Sequence, residues 1–579
     1  MKDAVTDTTL KQNDSFIKKS YQRALIPCML SIISSNVNIL FDGVIVGQKM
    51  GVAGLAALTL CMPVFLFLNV IGSLITSGMS ISASSSIGCG NKEKAQVFYE
   101  LTIGWCTVAS VTVTILGLLF SDKICGILCS DINLYTMVKT YYNVTIAGAF
   151  TKIMLYIPIW YLRLDGRNHE VIVVMSVMAV GNILLDYMLI YLVDMGILGA
   201  ALAGVIAALI ALGTGFYFLC DKKSSLKPGI KIKASKSDFC SCLKNGSPSA
   251  LNNLMQTFRL LMINAILLSY GSIYVAIFAA INCISEFSLC VINSIPQTAF
   301  AMLGIFYGEH DSGSIKRLLK FEVKYGIALS FVFGTVCIAS SGLIETLYGL
   351  QGLLLSPIRW LVLSIFPAVI SSIWSGYYNI SDNVFWANMI IILRVFILPI
   401  LVLYLLCSVS IDLWPIFPVL SEFITVFLWF ILTLIRYKIN AHKSRYLMMP
   451  DSYENSKILN FSVEGSSDDI CISCQRVSAF CDETEMESKK IMRISLSMEE
   501  LMTMIVQTNE SKINFDLRLY SYQSETGIRI RYNGCLYNPF ESVKTVNTDE
   551  YMGVRMIENM VKETKYQKIF GMNMVMIIV

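Results

Sequence analysis

Two aspartates stand where a bilayer should exclude them. Asp42 lies in LSIISSNVNILFDGVIVG and Asp186 in VIVVMSVMAVGNILLDYMLIYLV, stretches otherwise apolar and long enough to cross a membrane. A carboxylate at that depth costs about 3 kcal/mol on insertion scales, so it is kept where it faces a cavity and binds ions or relays protons. Asn182 precedes Asp186 by four residues, which sets both on one face of a helix. A carboxylate beside an amide oxygen suits a hard cation such as Na⁺. A carboxyl held away from water can instead take and release a proton near the working pH. The sequence leaves Na⁺ and H⁺ equally open.

The elements that must position these groups are long and apolar. Of 579 residues, 55% are hydrophobic and only 15% charged. A soluble chain carries about a quarter charged residues, so the composition is that of a membrane protein and gives no basis for a nucleic-acid partner. Apolar windows predict about twelve spans before residue 440. They centre near 24–47, 53–81, 96–120, 136–163, 170–193 and 197–220, then 247–270, 273–307, 318–345, 354–378, 384–407 and 413–437. Lys and Arg cluster in alternate connections, among them Lys92 and Lys94, Arg163 and Arg167, the run from Lys222 to Lys236, and Lys316 with Arg317. By the positive-inside rule both termini face the cytoplasm, with the N-terminus an uncleaved anchor. The cysteines show no disulfide framework, and CISC at 471–474 is a lone pair in a polar region.

The basic connection 221–245 divides the membrane part into an N-lobe, 1–220, and a C-lobe, 246–440. VAGLAA at 52–57 recurs as VAIFAA at 275–280, a displacement of 275 − 52 = 223. The same displacement aligns Gly90 and Lys94 with Gly313 and Arg317. Two like halves of six spans are a common transporter plan, with the substrate site between them.

Several motifs now carry a resemblance. LFDGVIVGQKMGVAGLAALTLCMPV, RLDGR at 163–167, GNILLDYMLI at 181–190, GILGAALA at 196–203 and GSPSALNNLMQTFRLLMINAILLSYG resemble the multidrug and toxic compound extrusion (MATE) transporters. The resemblance covers about residues 15–440 and implies a two-lobed exporter, not an enzyme, that exchanges Na⁺ or H⁺ for an organic substrate. It places the coupling-cation site on Asp42, Asn182 and Asp186, with no other metal or cofactor. Some members also use an acid in the C-lobe, whereas the matching span here offers Asn252, Asn253, Gln256 and Arg259.

Other polar residues at depth either line a cavity or hold helices together in pairs. Lys152, Asn253, Gln256 and Glu286 are the candidate substrate contacts, Glu286 for a cationic group and Lys152 alternatively as a partner of Asp42 or Asp186. For Arg394, in IILRVFILPI, the pairing reading fits better, while Glu422 is open to either.

After residue 450 the composition turns polar, and 450–579 has the length of one soluble domain. MESKKIMRISLSMEELMTMIVQ predicts an amphipathic helix, and INFDLRLYSYQ, GIRIRYNG and MVMIIV predict strands. A second helix is expected over YMGVRMIENMVKETKYQ, giving an α+β domain with an antiparallel sheet. This tail resembles the ATP-binding domain of anti-sigma-factor and histidine kinases. In that family Glu is followed four residues later by a Mg²⁺-holding Asn. Here Glu500 is followed by Met504, which cannot ligate Mg²⁺ through oxygen. The adenine-binding Asp before Gly534 is replaced by Tyr532, while Gly553, Gly571 and Asn573 keep the later motifs. A degenerate regulatory domain is expected.

The fold expected is an all-α membrane protein followed by a small α+β soluble domain. The function expected is antiport of cationic or amphiphilic organic compounds across a bacterial plasma membrane. The chain is expected to be a monomer whose partners are its substrate, the bilayer and a regulatory protein at the tail. A membrane-anchored signalling protein and a lipid-linked sugar flippase are the alternatives. The first needs an intact kinase site and the second a cavity rich in Arg and Lys.

Overall fold

The computed structural model describes residues 2–439 and 457–579, apart from 130–131, 222–223, 232–234, 310, 343–344, 346–351, 485, 510–512, 523–524, 535–536, 541–551 and 570–571. Side chains of the first sixteen residues and of scattered helical positions are likewise outside the described set, as are Lys222, Lys223, Lys233 and Gly571. The N-terminal half contains α1 (Lys2–Gly88), α2 (Lys92–Leu119), α3 (Ser121–Leu128), α4 (Ile132–Ala147), α5 (Ala149–Met154), α6 (Tyr156–Leu164), α7 (Asn168–Asp186) and α8 (Gly196–Cys220). The C-terminal half contains α9 (Lys236–Leu268), α10 (Ser272–Gly308), α11 (Ser312–Ala339), α12 (Leu355–Ile380), α13 (Val384–Ile391), α14 (Leu398–Val409) and α15 (Phe417–Ile439). The predicted apolar windows fall on these helices, some on one and others, such as 136–163 over α4 to α6, on a consecutive run.

Among the described residues nine helices are long and apolar enough to cross a bilayer, or ten if the bent pair Leu134–Ala147 and Ala149–Leu164 is one span. Helix α9 falls short because Asn252, Asn253, Gln256 and Arg259 interrupt its apolar surface. Gly51 divides α1, at φ 65, a conformation that side chains rarely tolerate. The repeat survives with a slip. Asn91 caps α2 and Asp311 caps α11, each accepting from a backbone N–H of the first turn, so the equivalent caps lie 311 − 91 = 220 apart and not 223.

The two halves meet along glycines. Gly78 faces the Cys242 carbonyl, Gly246 the Leu74 carbonyl and Gly88 the Ile305 carbonyl, each without room for a Cβ. Backbone approach this close lets α1 pack on α9 and α10, much as small residues do between membrane helices generally. Gly246→Val is therefore expected to lower stability by about 1–3 kcal/mol, the usual cost of overpacking. The check is the Tm of the detergent-solubilised protein, and an unchanged Tm would show that the seam is loose.

The tail adds β1 (Lys457–Glu464), α16 (Ser467–Glu483), α17 (Ser488–Gln507), β2 (Asn514–Tyr522), β3 (Glu525–Tyr532), α18 (Met552–Met560), β4 (Glu563–Ile569) and β5 (Met572–Ile578). The strands form one antiparallel sheet in the order β1-β2-β3-β5-β4. Two sequence expectations need correction. The last helix ends at Met560, and Glu563–Ile569 is a strand, because its backbone pairs with an open edge of β5 and Tyr566 turns into the core. Strand β1 and helix α16 were not anticipated, although Leu459, Phe461 and Val463 alternate inward.

One sheet face, with Phe461, Phe515, Ile530 and Val575, packs with the tail helices into a core of its own. The other face is not solvated. Met574 on β5 joins the same cluster as Phe306 of α10, and the Arg531 guanidinium lies over the Phe306 ring at 4.7 Å. Arg518, Arg529 and Arg531 turn from this face onto Glu309 and Asp311, between α10 and α11.

Candidate functional site

The N-terminal half brings Asp42, Asn182 and Asp186 together, as the sequence implied. Asn182 and Asp186 are 2% and 1% exposed, which is far from what isolated polar groups tolerate. The Asn182 amide Nδ2 donates to Asp186 Oδ2 at 2.8 Å and also to Asp42 Oδ1, so one amide ties two helices through two carboxyls. Both carboxyls thus lie within reach of one amide, and like charges held that near each other call for a shared proton or a cation. A π-helical turn, Tyr187–Leu192, begins directly after Asp186. Such wide turns recur at functional sites because they re-aim the side chains beside them.

Of the two places the sequence offered Lys152, the substrate cavity and the aspartates, it lies beside the aspartates. Its Nζ acts electrostatically on Asp42 and Asp186 and stands 5.5 Å over the Phe65 ring, but it makes no ion pair with a described residue. Buried Tyr141 flanks the same carboxyls and was missed, since a lone tyrosine in an apolar helix carries no sequence signal.

A cavity lies between the halves and is lined by the expected Asn253, Gln256 and Glu286. Asn253 donates to Ser73 Oγ at 3.4 Å, across the seam. Arg163, read in the sequence only as a connection residue, also lines it. Arg163 donates to Gln297 Oε1 at 2.6 Å and Ser31 Oγ at 3.1 Å. The Glu286 carboxylate is open to the cavity and hydrogen-bonded to no described residue. Arg394 sits in a second π-helical turn, Ile392–Ile397, in the C-terminal half. Its Nε donates to Glu422 at 2.9 and 3.1 Å, and Ser371 donates to the same carboxylate at 3.2 Å.

In the tail, Met504 is buried in the domain core. Tyr532 is fully buried there too, its hydroxyl donating to the Tyr537 carbonyl at 2.7 Å. The Glu500 carboxylate packs against Gly553, and Gly534 lies beside the Asn509 amide. The residues at the two lost nucleotide positions are thus packing groups. Titration of the full chain with ATP is expected to show no Mg²⁺-dependent binding, and micromolar Mg²⁺-dependent affinity would contradict this.

With this geometry in place, likeness to known proteins is informative. Residues 27–188 match the MatE family model, a segment that includes Asp42, Asn182 and Asp186. A solved structure of a MATE transporter in complex with MaL6 superposes with a TM-score of 0.69, covering 73% of this chain and 97% of that one at 21% identity. The membrane part has the MATE fold. An outward-facing MATE transporter of the MOP superfamily gives a TM-score of 0.68 at 20% identity, covering 73% and 96% of the two chains. The multidrug export protein MepA of Staphylococcus aureus strain RF122 is 24% identical over 321 residues, 55% of this chain and 69% of that protein. The chain is a multi-pass membrane protein on this fold.

Proposed function

We propose that this chain is a secondary antiporter of the MATE type, exporting organic compounds in exchange for Na⁺ or H⁺. The observation that carries the reading is the Asp42–Asn182–Asp186 cluster, acids buried together in apolar helices beside a cavity between two halves. The MepA likeness supports multidrug substrates, and Glu286, bare in the cavity, supports one with a basic group. In this reading the bundle makes twelve spans, with both segments of α1 and α9 crossing. Both termini and the tail lie in the cytoplasm of a bacterial cell, and the chain acts as a monomer and not as an enzyme. The tail regulates rather than catalyses.

A flippase is less well supported, because both arginines that line this cavity are already bonded, Arg394 to Glu422 and Arg163 to Gln297 and Ser31. The test is export of a dye panel from reconstituted vesicles under separate Na⁺ and pH gradients. Export driven by either gradient supports the reading, and dye movement indifferent to both would contradict it.

A further inference from the structure

The sheet of the tail lies across both halves at one end of the molecule and touches them over its whole width. In its middle, Arg518 of β2 with Arg529 and Arg531 of β3 holds Glu309 and Asp311 of the C-terminal half. The charged groups of that cluster are at most 3% exposed. Towards one edge, β1 and β2 lie against α1 of the N-terminal half. Strand β1 also reaches the C-terminal half, Asn460 Nδ2 lying 3.9 Å from where a Gly313 Cβ would sit. At the other edge, β4 and β5 meet the turn after α1. Lys565 Cδ lies 3.0 Å and Met576 Sδ 3.7 Å from where a Gly90 Cβ would sit. The N-terminal half is thus held on both sides of the ion cluster, and the C-terminal half at the cluster itself.

Beneath the sheet the halves are shut against each other. Gly88 faces the Ile305 carbonyl, Gly304 packs on Ser84, and Cys89 Sγ donates to the Gly308 carbonyl at 3.3 Å. Gly88 and Cys89 adjoin Gly90, and Gly308 adjoins Glu309, so the seam and the two holds of the sheet occupy the same short stretches of chain. The five strands are hydrogen-bonded side by side, and such a sheet does not stretch. Parting the halves must therefore break its hold on one of them. Contacts made only in the shut state shift the balance towards that state by the free energy lost on opening.

We infer that the tail is a clamp that keeps this end shut, gripping the N-terminal half along α1 and at Gly90 and the C-terminal half at Glu309 and Asp311. Spin labels on His169→Cys and Phe385→Cys, exposed positions on opposite halves at this end, report opening in a full chain with its exposed cysteines replaced by serine. Two tail variants loosen the holds and leave the sequence of the membrane helices unchanged apart from the labelled and serine positions. Arg529→Met weakens the hold on the C-terminal half and should raise the long-distance population severalfold. Lys565→Glu with Met576→Glu cuts only the β4–β5 contact and should raise it less, because β1 and β2 still lie on α1. Hydrogen exchange in β2 and β3 shows whether the sheet has let go of Glu309 and Asp311. Unchanged distances with Arg529→Met, whether the sheet is released or stays docked, would overturn the clamp. The distances require no transport, so that result would leave the proposed function standing.

Discussion

Asp186→Asn is expected to abolish gradient-driven export while the protein remains folded and inserted. The substitution keeps shape and can still bond Asn182, so what it removes is a charge and a protonation site, not packing. Asp42→Asn should behave alike, because the two carboxyls act as one unit through a single amide. Asn182→Ala should weaken Na⁺ dependence more than H⁺ dependence, since a neutral oxygen ligand matters first for metal coordination. Dye export under each gradient, with elution profile as the folding control, checks all three. Unchanged export with either aspartate neutralised would remove the cluster from the coupling mechanism.

Arg529→Met is expected to release the tail. Arg529 reaches Asp311 at 3.3 Å and Asp516 at 3.1 Å, and also binds Glu309. Removing one partner from a buried ion cluster leaves uncompensated charge at a cost of about 3–5 kcal/mol. Hydrogen exchange should accelerate in β2, in β3 and around Asp311, and unchanged protection would contradict the role of the cluster. Burial alone would raise the Asp311 carboxyl, but Arg518 and Arg529 outweigh it and hold that group well below the usual carboxylate range. Burial likewise opposes the Arg529 charge, yet Glu309, Asp516 and Asp311 together raise it, whereas burial and Arg529 itself lower Arg531. A carboxyl depressed in the folded state contributes stability above its unfolded pKa and loses it as pH falls through the folded value. Docking should therefore hold from pH 8 to about pH 5 and fail only in stronger acid.

The membrane helices were legible because lipid enforces long apolar runs, and Asp42 and Asp186 stood out against them. Their meeting was legible only in part. The four-residue spacing joined Asn182 to Asp186, while Asp42 entered through family resemblance, 140 residues away in the chain. Lys152 stayed open between the cavity and the aspartates because depth along a span says nothing of which side of a helix meets a cavity. The sequence favoured pairing for Arg394 but could not name its partner, nor say that Arg259 lacks one. Arg394 has its glutamate 28 residues away on a neighbouring helix, and Arg259 has none in contact. In the tail, period-two alternation identified β2 and β3 but not which face meets water. Arg518, Arg529 and Arg531 alternate with the apolar positions of these strands, and the acids that bury them lie more than 200 residues earlier, between α10 and α11.

Antiport through the aspartate cluster has a reciprocal consequence, since coupling between two ligands acts equally in both directions. A substrate gradient imposed on sealed vesicles, with no ion gradient, should drive the coupling ion the opposite way. Internal pH and internal Na⁺ are recorded together after a pulse of dye. Ion movement with the wild type, lost in both Asp42→Asn and Asp186→Asn, is the result predicted. Dye entry without movement of either ion, or ion movement that persists in both variants, would contradict it.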